Sequence, residues 1–141
     1  MDTVMTREEV TGFLDREFPE INYDGPAYSV ESITDNEVMI RLHAYDRHLR
    51  SGGTVSGPTM MALADLTSYV VIFAHIGPVA LAVTTNLNIN FLKKPDPGDL
   101  LGMCRLLKLG KWLAVTECSI VSEGHEDIVA HATATYSIPP R

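Results

Sequence analysis

Three observations predict an α+β domain, with an antiparallel sheet wrapped around one long central helix and a short helix at the N-terminus. The first is the run over residues 56–75, SGPTMMALADLTSYVVIFAH, which is apolar on every side and holds a single carboxylate, Asp65. No side of such a helix reads as a solvated face, so the rest of the fold has to cover it. The second is order: two strand-like runs precede this helix and four follow it, joined by short turns. That order favours antiparallel hairpins with the helices set apart. The third is size, since 141 residues suit one domain over 1–141 that can bury a real core. A helix roughly 28 Å long, at about 1.5 Å per residue, needs a curved sheet to bury it.

The elements follow in turn. Thr6-Arg7-Glu8-Glu9 has the capping-box pattern, and Val10, Phe13, Leu14 and Phe18 then fall at helical spacing until Pro19 ends the helix. Residues 22–26 form a turn-rich connection within the leader of residues 1–26. Residues 28–33 and 37–43 read as a hairpin closed at Thr34-Asp35-Asn36. A polar loop over 45–55 leads into the long helix. Four strands follow over 80–92, 99–109, 112–122 and 127–138, parted by Pro-Gly, Gly-Lys and Gly-His turns. Leu87, Ile89 and Phe91 share one face of the first of these, and Ala114, Thr116, Cys118 and Ile120 share a face of the third.

Composition narrows the function classes. A net charge of −7 argues against a nucleic-acid surface while leaving room for a local basic site. The polar start MDTVMTREEV carries no secretory signal, so a cytoplasmic location is expected. The apolar stretch over 58–83 raises the question of a membrane, but Asp65, His75 and the Gly77-Pro78 breaker favour a buried helix followed by a strand. Cys104 and Cys118 are expected to be reduced thiols, and no His, Cys or carboxylate spacing forms a metal set.

Asp65 stands out on energetic grounds. An ionised carboxylate buried without water or a partner would cost several kcal/mol, on the order of a domain's net stability. Either Thr67, Ser68 or a nearby backbone group satisfies it structurally, or it opens on a cleft where chemistry occurs.

The order of elements and a set of local motifs resemble the hotdog-fold acyl-coenzyme A thioesterases, in particular the branch typified by the phenylacetate pathway. The matching residues are Gly53-Thr54-Val55-Ser56-Gly57-Pro58, Leu63-Ala64-Asp65, Thr84-Thr85-Asn86 with alternating Asn88 and Asn90, Pro95-Asp96-Pro97-Gly98-Asp99, and Gly110-Lys111-Trp112. The resemblance implies hydrolysis of an acyl-coenzyme A thioester, with coenzyme A as part of the substrate and no further cofactor. It implies Asp65 as general base or nucleophile, the Gly57 N–H as oxyanion donor, and Thr84 as the hydroxyl that helps place water. It further implies an edge-to-edge homodimer, stacked into a homotetramer, in which each site combines Asp65 of one chain with the loop of the other. Physical chemistry suits these roles. A helix N-terminus offers unpaired N–H groups and a positive dipole end to a thioester carbonyl, and glycine allows close approach.

The sequence departs from the family pattern at three points: the family's Asn falls at Arg50, its His at Ser56 and its second Gly at Pro58. Arg50 is expected to bind a carboxylate on the acyl group or Asp65 itself. Ser56 is expected either as helix N-cap or as a catalytic hydroxyl. Pro58 suits the first helical turn. His48, Tyr69 and Lys111 complete the expected binding residues, Lys111 with Lys93, Lys94 and Lys108 lying near strand ends where relatives meet coenzyme A phosphates. Tyr69 and the apolar helix face suggest an aromatic or medium-chain acyl group. His75 is expected to meet the dipole at the helix C-terminus. The alternative reading, motivated by Arg50 and Ser56, is a protein that binds acyl-coenzyme A without hydrolysing it. A hotdog dehydratase would need a His with an Asp or Glu in a helix-loop pattern that this chain lacks.

Overall fold

The computed structural model describes residues 2–23, 25–78 and 82–140. Asp24 of the expected turn, Ala80 and Leu81 of the expected strand, and the terminal Met1 and Arg141 lie outside them. Helix α1 spans Arg7–Glu17 and α2 spans Gly57–Ile76; the strands are β1 Tyr28–Thr34, β2 Glu37–Leu42, β3 Val83–Phe91, β4 Leu100–Leu109, β5 Leu113–Ser122 and β6 Ile128–Ser137. The capping box that opens α1 is formed in full: the Thr6 hydroxyl accepts the Glu9 N–H, and the Glu9 carboxylate accepts the Thr6 N–H. Two short 3-10 turns, Pro19–Asn22 and Asp46–His48, occupy stretches expected as plain connections.

The six strands form one antiparallel sheet in the order β1-β2-β4-β5-β6-β3, so β1 and β3 are its edges. One face wraps α2 in the hotdog arrangement. Val38, Ile40 and Leu42, then Leu100, then Ala114, Cys118 and Ile120, then Ala130, Ala132 and Ala134 are buried on that face. Small residues allow the helix to lie close. A Cβ at Gly102 would sit 3.0 Å from both Leu63 Cγ and Thr67 Oγ1, so β4 and α2 meet backbone to side chain there.

Two expectations change and one is extended. Cys104 and Cys118 are joined as a disulfide, because the β4–β5 register sets them directly opposite with Cα atoms 4.1 Å apart, a fact their spacing in sequence does not carry. His75 is pinned from two sides. Its Nδ1 lies 2.7 Å from the Val71 carbonyl, and its Nε2 accepts the Asn36 N–H at 2.9 Å. The ring therefore ties the β1–β2 turn to the last turns of the helix as a hydrogen-bonded strut, in addition to lying at the helix C-terminus. Finally, α2 is not covered all round. Residues 67–75 are buried, whereas Pro58, Met61 and Ala62 are exposed and Asp65 and Leu66 half-buried. These five lie at helical spacing on one stripe, facing the β3 edge. Among the described residues α2 alone has the length and hydropathy to cross a membrane, and here it is the core helix of the wrapped sheet.

Candidate functional site

Chemistry-bearing groups gather at two cavities, both along the N-terminal half of α2. The first is about 520 Å³ and lies between α2, β3, β6 and the segment after α1. Phe18, Ile21, Leu66, Tyr69 and Val83 give it apolar walls, and Asp65, Thr84 and Tyr136 supply its polar end. Asp65 takes its partners from the sheet and not from its own helix. Thr84 Oγ1 donates to Asp65 Oδ1 at 2.7 Å. The Tyr136 hydroxyl donates to the same oxygen and lies 2.7 Å from the Asp65 carbonyl. Thr67 and Ser68, the expected structural partners, turn elsewhere: Thr67 bonds the Leu63 carbonyl at 2.7 Å, and Ser68 accepts from Thr116 at 2.9 Å. Oδ1 of Asp65 therefore carries two donors, while Oδ2 has no partner among the described residues.

Aromatic rings line this cavity in series. Phe18 meets Tyr69 edge-on at 5.4 Å, and Tyr69 stacks on Tyr136 at 6.4 Å. Burial, with the Glu17 charge adding to it, pushes the Tyr69 phenol up to about 12. Burial, reinforced by the bonded Asp65 carboxylate, carries the Tyr136 phenol far above the ordinary tyrosine range. Both hydroxyls stay protonated at neutral pH, so Tyr136 can act as a donor to the carboxylate.

The second cavity, about 460 Å³, sits at the start of α2 and is lined by Arg50, Thr54, Gly57, Met60, Phe91, Lys93 and Lys94 among others. Ser56 is the N-cap of α2. Its hydroxyl accepts the Thr59 N–H at 3.3 Å and donates to Thr59 Oγ1 at 2.9 Å, so that group is engaged in the cap. The Met60 N–H bonds the Ser56 carbonyl at 3.1 Å, and Pro58 has no N–H. Of the first four backbone positions of α2, Gly57 alone keeps an N–H without a partner among the described residues. The ring of Phe91 lies across it: a Cβ at Gly57 would stand 3.3 Å from Phe91 Cζ.

The expected residues divide between these places. Asp65, Thr84 and Tyr69 converge on the first cavity, and Gly57 and Arg50 on the second. Arg50 thus lies with Gly57 and apart from the Asp65 of its own chain. Asp65 lies eight positions on from Gly57, about 12 Å along the axis. Pro58 is exposed in the first turn. His48 is buried; its Nδ1 accepts the Tyr45 N–H at 2.9 Å, and burial, then the Arg47 charge, hold the imidazole below its ordinary value. It braces the loop and lines neither cavity. Lys111 places its Nζ 5.1 Å over the Trp112 ring and also lines neither. Lys93 pairs with Asp127 at 3.2 Å. Sequence reasoning missed Tyr136, Phe18, Ile21 and Phe91 as site residues. For Tyr136 a signal existed: it is the one large residue closing the row Ala130, Ala132, Ala134.

Known proteins resemble the chain at the level of both sequence and fold. The family model described as Thioesterase superfamily matches residues 52–129. A "putative thioesterase" from Silicibacter sp. TM1040 is 47% identical, with a TM-score of 0.90, covering 99% of this chain and 96% of that one. Zebrafish thioesterase superfamily member 2 is similar in fold, with a TM-score of 0.83 at 20% identity over 96% of this chain and 99% of the other. The smu.793 protein of Streptococcus mutans, solved bound to acetyl-CoA, is 25% identical, with a TM-score of 0.70 over 81% of this chain and 90% of that one.

Proposed function

The chain belongs to the thioesterase superfamily, and from that premise we propose that it hydrolyses an acyl-coenzyme A thioester to the free acid and coenzyme A. The observation that carries this reading is Asp65, fixed through Oδ1 at the end of an apolar cavity with Oδ2 left open. In the reaction, water attacks the thioester carbonyl carbon as Asp65 takes its proton, or the carboxylate attacks that carbon itself. The oxyanion that forms is held by the Gly57 N–H and the positive end of α2. Collapse of the intermediate breaks the C–S bond, and the thiolate leaves and gains a proton. The water route releases the free acid directly, whereas the carboxylate route leaves an acyl anhydride on Asp65 that water then hydrolyses to the free acid.

One protomer holds the two halves of this machinery in separate cavities, and its exposed features supply a way to join them. Strand β3 is an unpaired edge nine residues long, with Val83 55% and Phe91 50% exposed beside the uncovered stripe of α2. A sheet edge of this length presents backbone N–H and C=O groups that invite pairing with another strand. If two copies pair antiparallel about the middle of β3, Phe91 of one lies opposite Val83 of the other. The Gly57 cavity of one protomer then faces the Asp65 cavity of its partner. A homodimer built this way completes two sites by symmetry, and two such dimers make a tetramer.

The acyl group enters the Asp65 cavity, whose walls of Phe18, Ile21, Leu66 and Tyr69 suit an aromatic or medium-chain acyl. Coenzyme A leaves past the second cavity, where Arg50 and Lys94 offer positive charge to an anionic group. The capture of acetyl-CoA by the S. mutans relative supports a coenzyme A thioester as the ligand class.

One observation favours a second reading. With the Ser56 hydroxyl engaged in the helix cap, no side chain at that position is free to polarise the thioester, and the protein would bind acyl-coenzyme A without turnover. Thiol release from a panel of acyl-coenzyme A thioesters separates the two readings. Hydrolysis by the wild type should fall about 10³-fold in Asp65→Asn, the scale on which removing a reacting group acts. Absence of turnover, with acyl-coenzyme A still raising Tm, would establish the binding role.

A further inference from the structure

We infer that Tyr136 is a positioning residue for this reaction: its hydroxyl, with that of Thr84, fixes Asp65 through Oδ1 and leaves Oδ2 to receive the proton of water. The inference rests on the reading of Asp65 as the reactive carboxylate. The concave row of β6 is otherwise alanine, at 130, 132 and 134, which lets α2 lie against the sheet. At 136 that row ends in a ring only 2% exposed, stacked on Tyr69. A phenylalanine would fill the same space. What the tyrosine adds is a hydroxyl, and a buried hydroxyl needs a partner. It finds the Asp65 carboxylate and the Asp65 carbonyl, beside the Thr84 hydroxyl that donates to the same carboxylate oxygen.

The geometry constrains the carboxylate in two ways. Thr84 approaches from β3 and Tyr136 from β6, so the two donors reach Oδ1 from different strands and resist rotation of the carboxylate plane. They also supply its nearby polar stabilisation. The titratable groups facing Asp65 in this cavity are Tyr69 from α2 and Tyr136 from β6. Glu17 at the end of α1 reaches Tyr69 by its charge, β3 presents the non-titrating Thr84, and among the described residues no Lys, Arg or His lines the cavity. Hydrogen-bond donors from two strands thus satisfy one oxygen of a half-buried carboxylate and set its orientation.

The test is Tyr136→Phe in the full chain, which keeps the ring and removes the hydroxyl. We expect kcat to fall about tenfold or more with KM within about twofold, and the acid limb of the kcat/KM profile to move up by about one pH unit. A purely structural role would lower Tm and the active fraction while leaving that limb in place, and this outcome overturns the inference. An activity-independent readout runs in parallel: the Asp65 carboxyl carbon, assigned with Asp65→Asn, is followed by 13C NMR through acid titration. Its midpoint should be higher in Tyr136→Phe than in the wild type, and an unchanged midpoint overturns the inference. Retained turnover in Asp65→Asn would instead sink the underlying assignment of Asp65, so the two failures are told apart.

Discussion

The two halves of α2 are made of similar residues and do different work. From Thr67 to His75 every residue is buried, and Phe73 packs its ring 4.8 Å from Phe13 and 5.0 Å from Tyr69. From Gly57 to Leu66 the helix is covered on one side only. The other side carries Pro58, Met61, Ala62 and Asp65 along an exposed stripe next to an open sheet edge. One half is a core element and the other a half-built site, so an apolar sequence alone does not say which surface is filled. The core half holds the fold together and fixes the start of the helix, which can then keep one amide N–H and one carboxylate oxygen open.

The contrast breaks first at Phe73. Phe73→Ala removes a fully buried ring and should cost about 3–5 kcal/mol, read as a large drop in the urea midpoint, with activity lost only as the chain unfolds. Gly102→Ala comes next. The added methyl meets Leu63 and Thr67 at 3.0 Å and should cost about 1–3 kcal/mol with little change in kcat per folded molecule. On the other half the pattern reverses. Met61→Lys alters a side chain 38% exposed and should leave the unfolding free energy of a protomer within about 0.5 kcal/mol. The same change should weaken self-association measured by sedimentation. At neutral pH the smallest effect belongs to Tyr69. Below pH 10 its phenol is protonated in both states; above it the unfolded chain ionises first, so stability falls as pH rises toward 12. Tyr69→Phe should flatten that alkaline decline in a pH series of denaturation curves.

Much of the fold was legible in the sequence, whereas the division of α2 into a covered and an open half was not, and the reasons are physical. The capping box at Thr6, the alternation of Leu87, Ile89 and Phe91, and the run around Asp65 are local patterns with fixed periods, and each forms the element it predicts, although α2 keeps one uncovered stripe. Asp65, Thr84 and Tyr69 were identified and do converge; Gly57 and Arg50 were identified and gather at a second cavity. What escaped depends on register. Tyr136 meets Asp65 because β6 lies between β5 and β3, and Cys104 meets Cys118 because β4 and β5 pair as they do. No spacing along the chain encodes either meeting. His48 lies away from both cavities, its ring nitrogen accepting the Tyr45 N–H within the loop, a bond that sequence spacing does not carry.

The central claim is that a complete site needs the Gly57 end of α2 from one chain and Asp65 from another, and mixed dimers test it most directly. One variant is Asp65→Asn. The other is Gly57→Pro, which deletes the open N–H at a helix position where proline is tolerated, after a residue already extended at φ −74° and ψ 157°. Each homodimer should be inactive, with circular dichroism confirming that both fold. Co-refolding equal amounts should restore about a quarter of wild-type thiol release, because half the dimers are mixed and each mixed dimer has one intact site of two. Restored activity would show that the two halves meet between protomers. No recovery from folded, mixed dimers would contradict the account and return the site to a single chain.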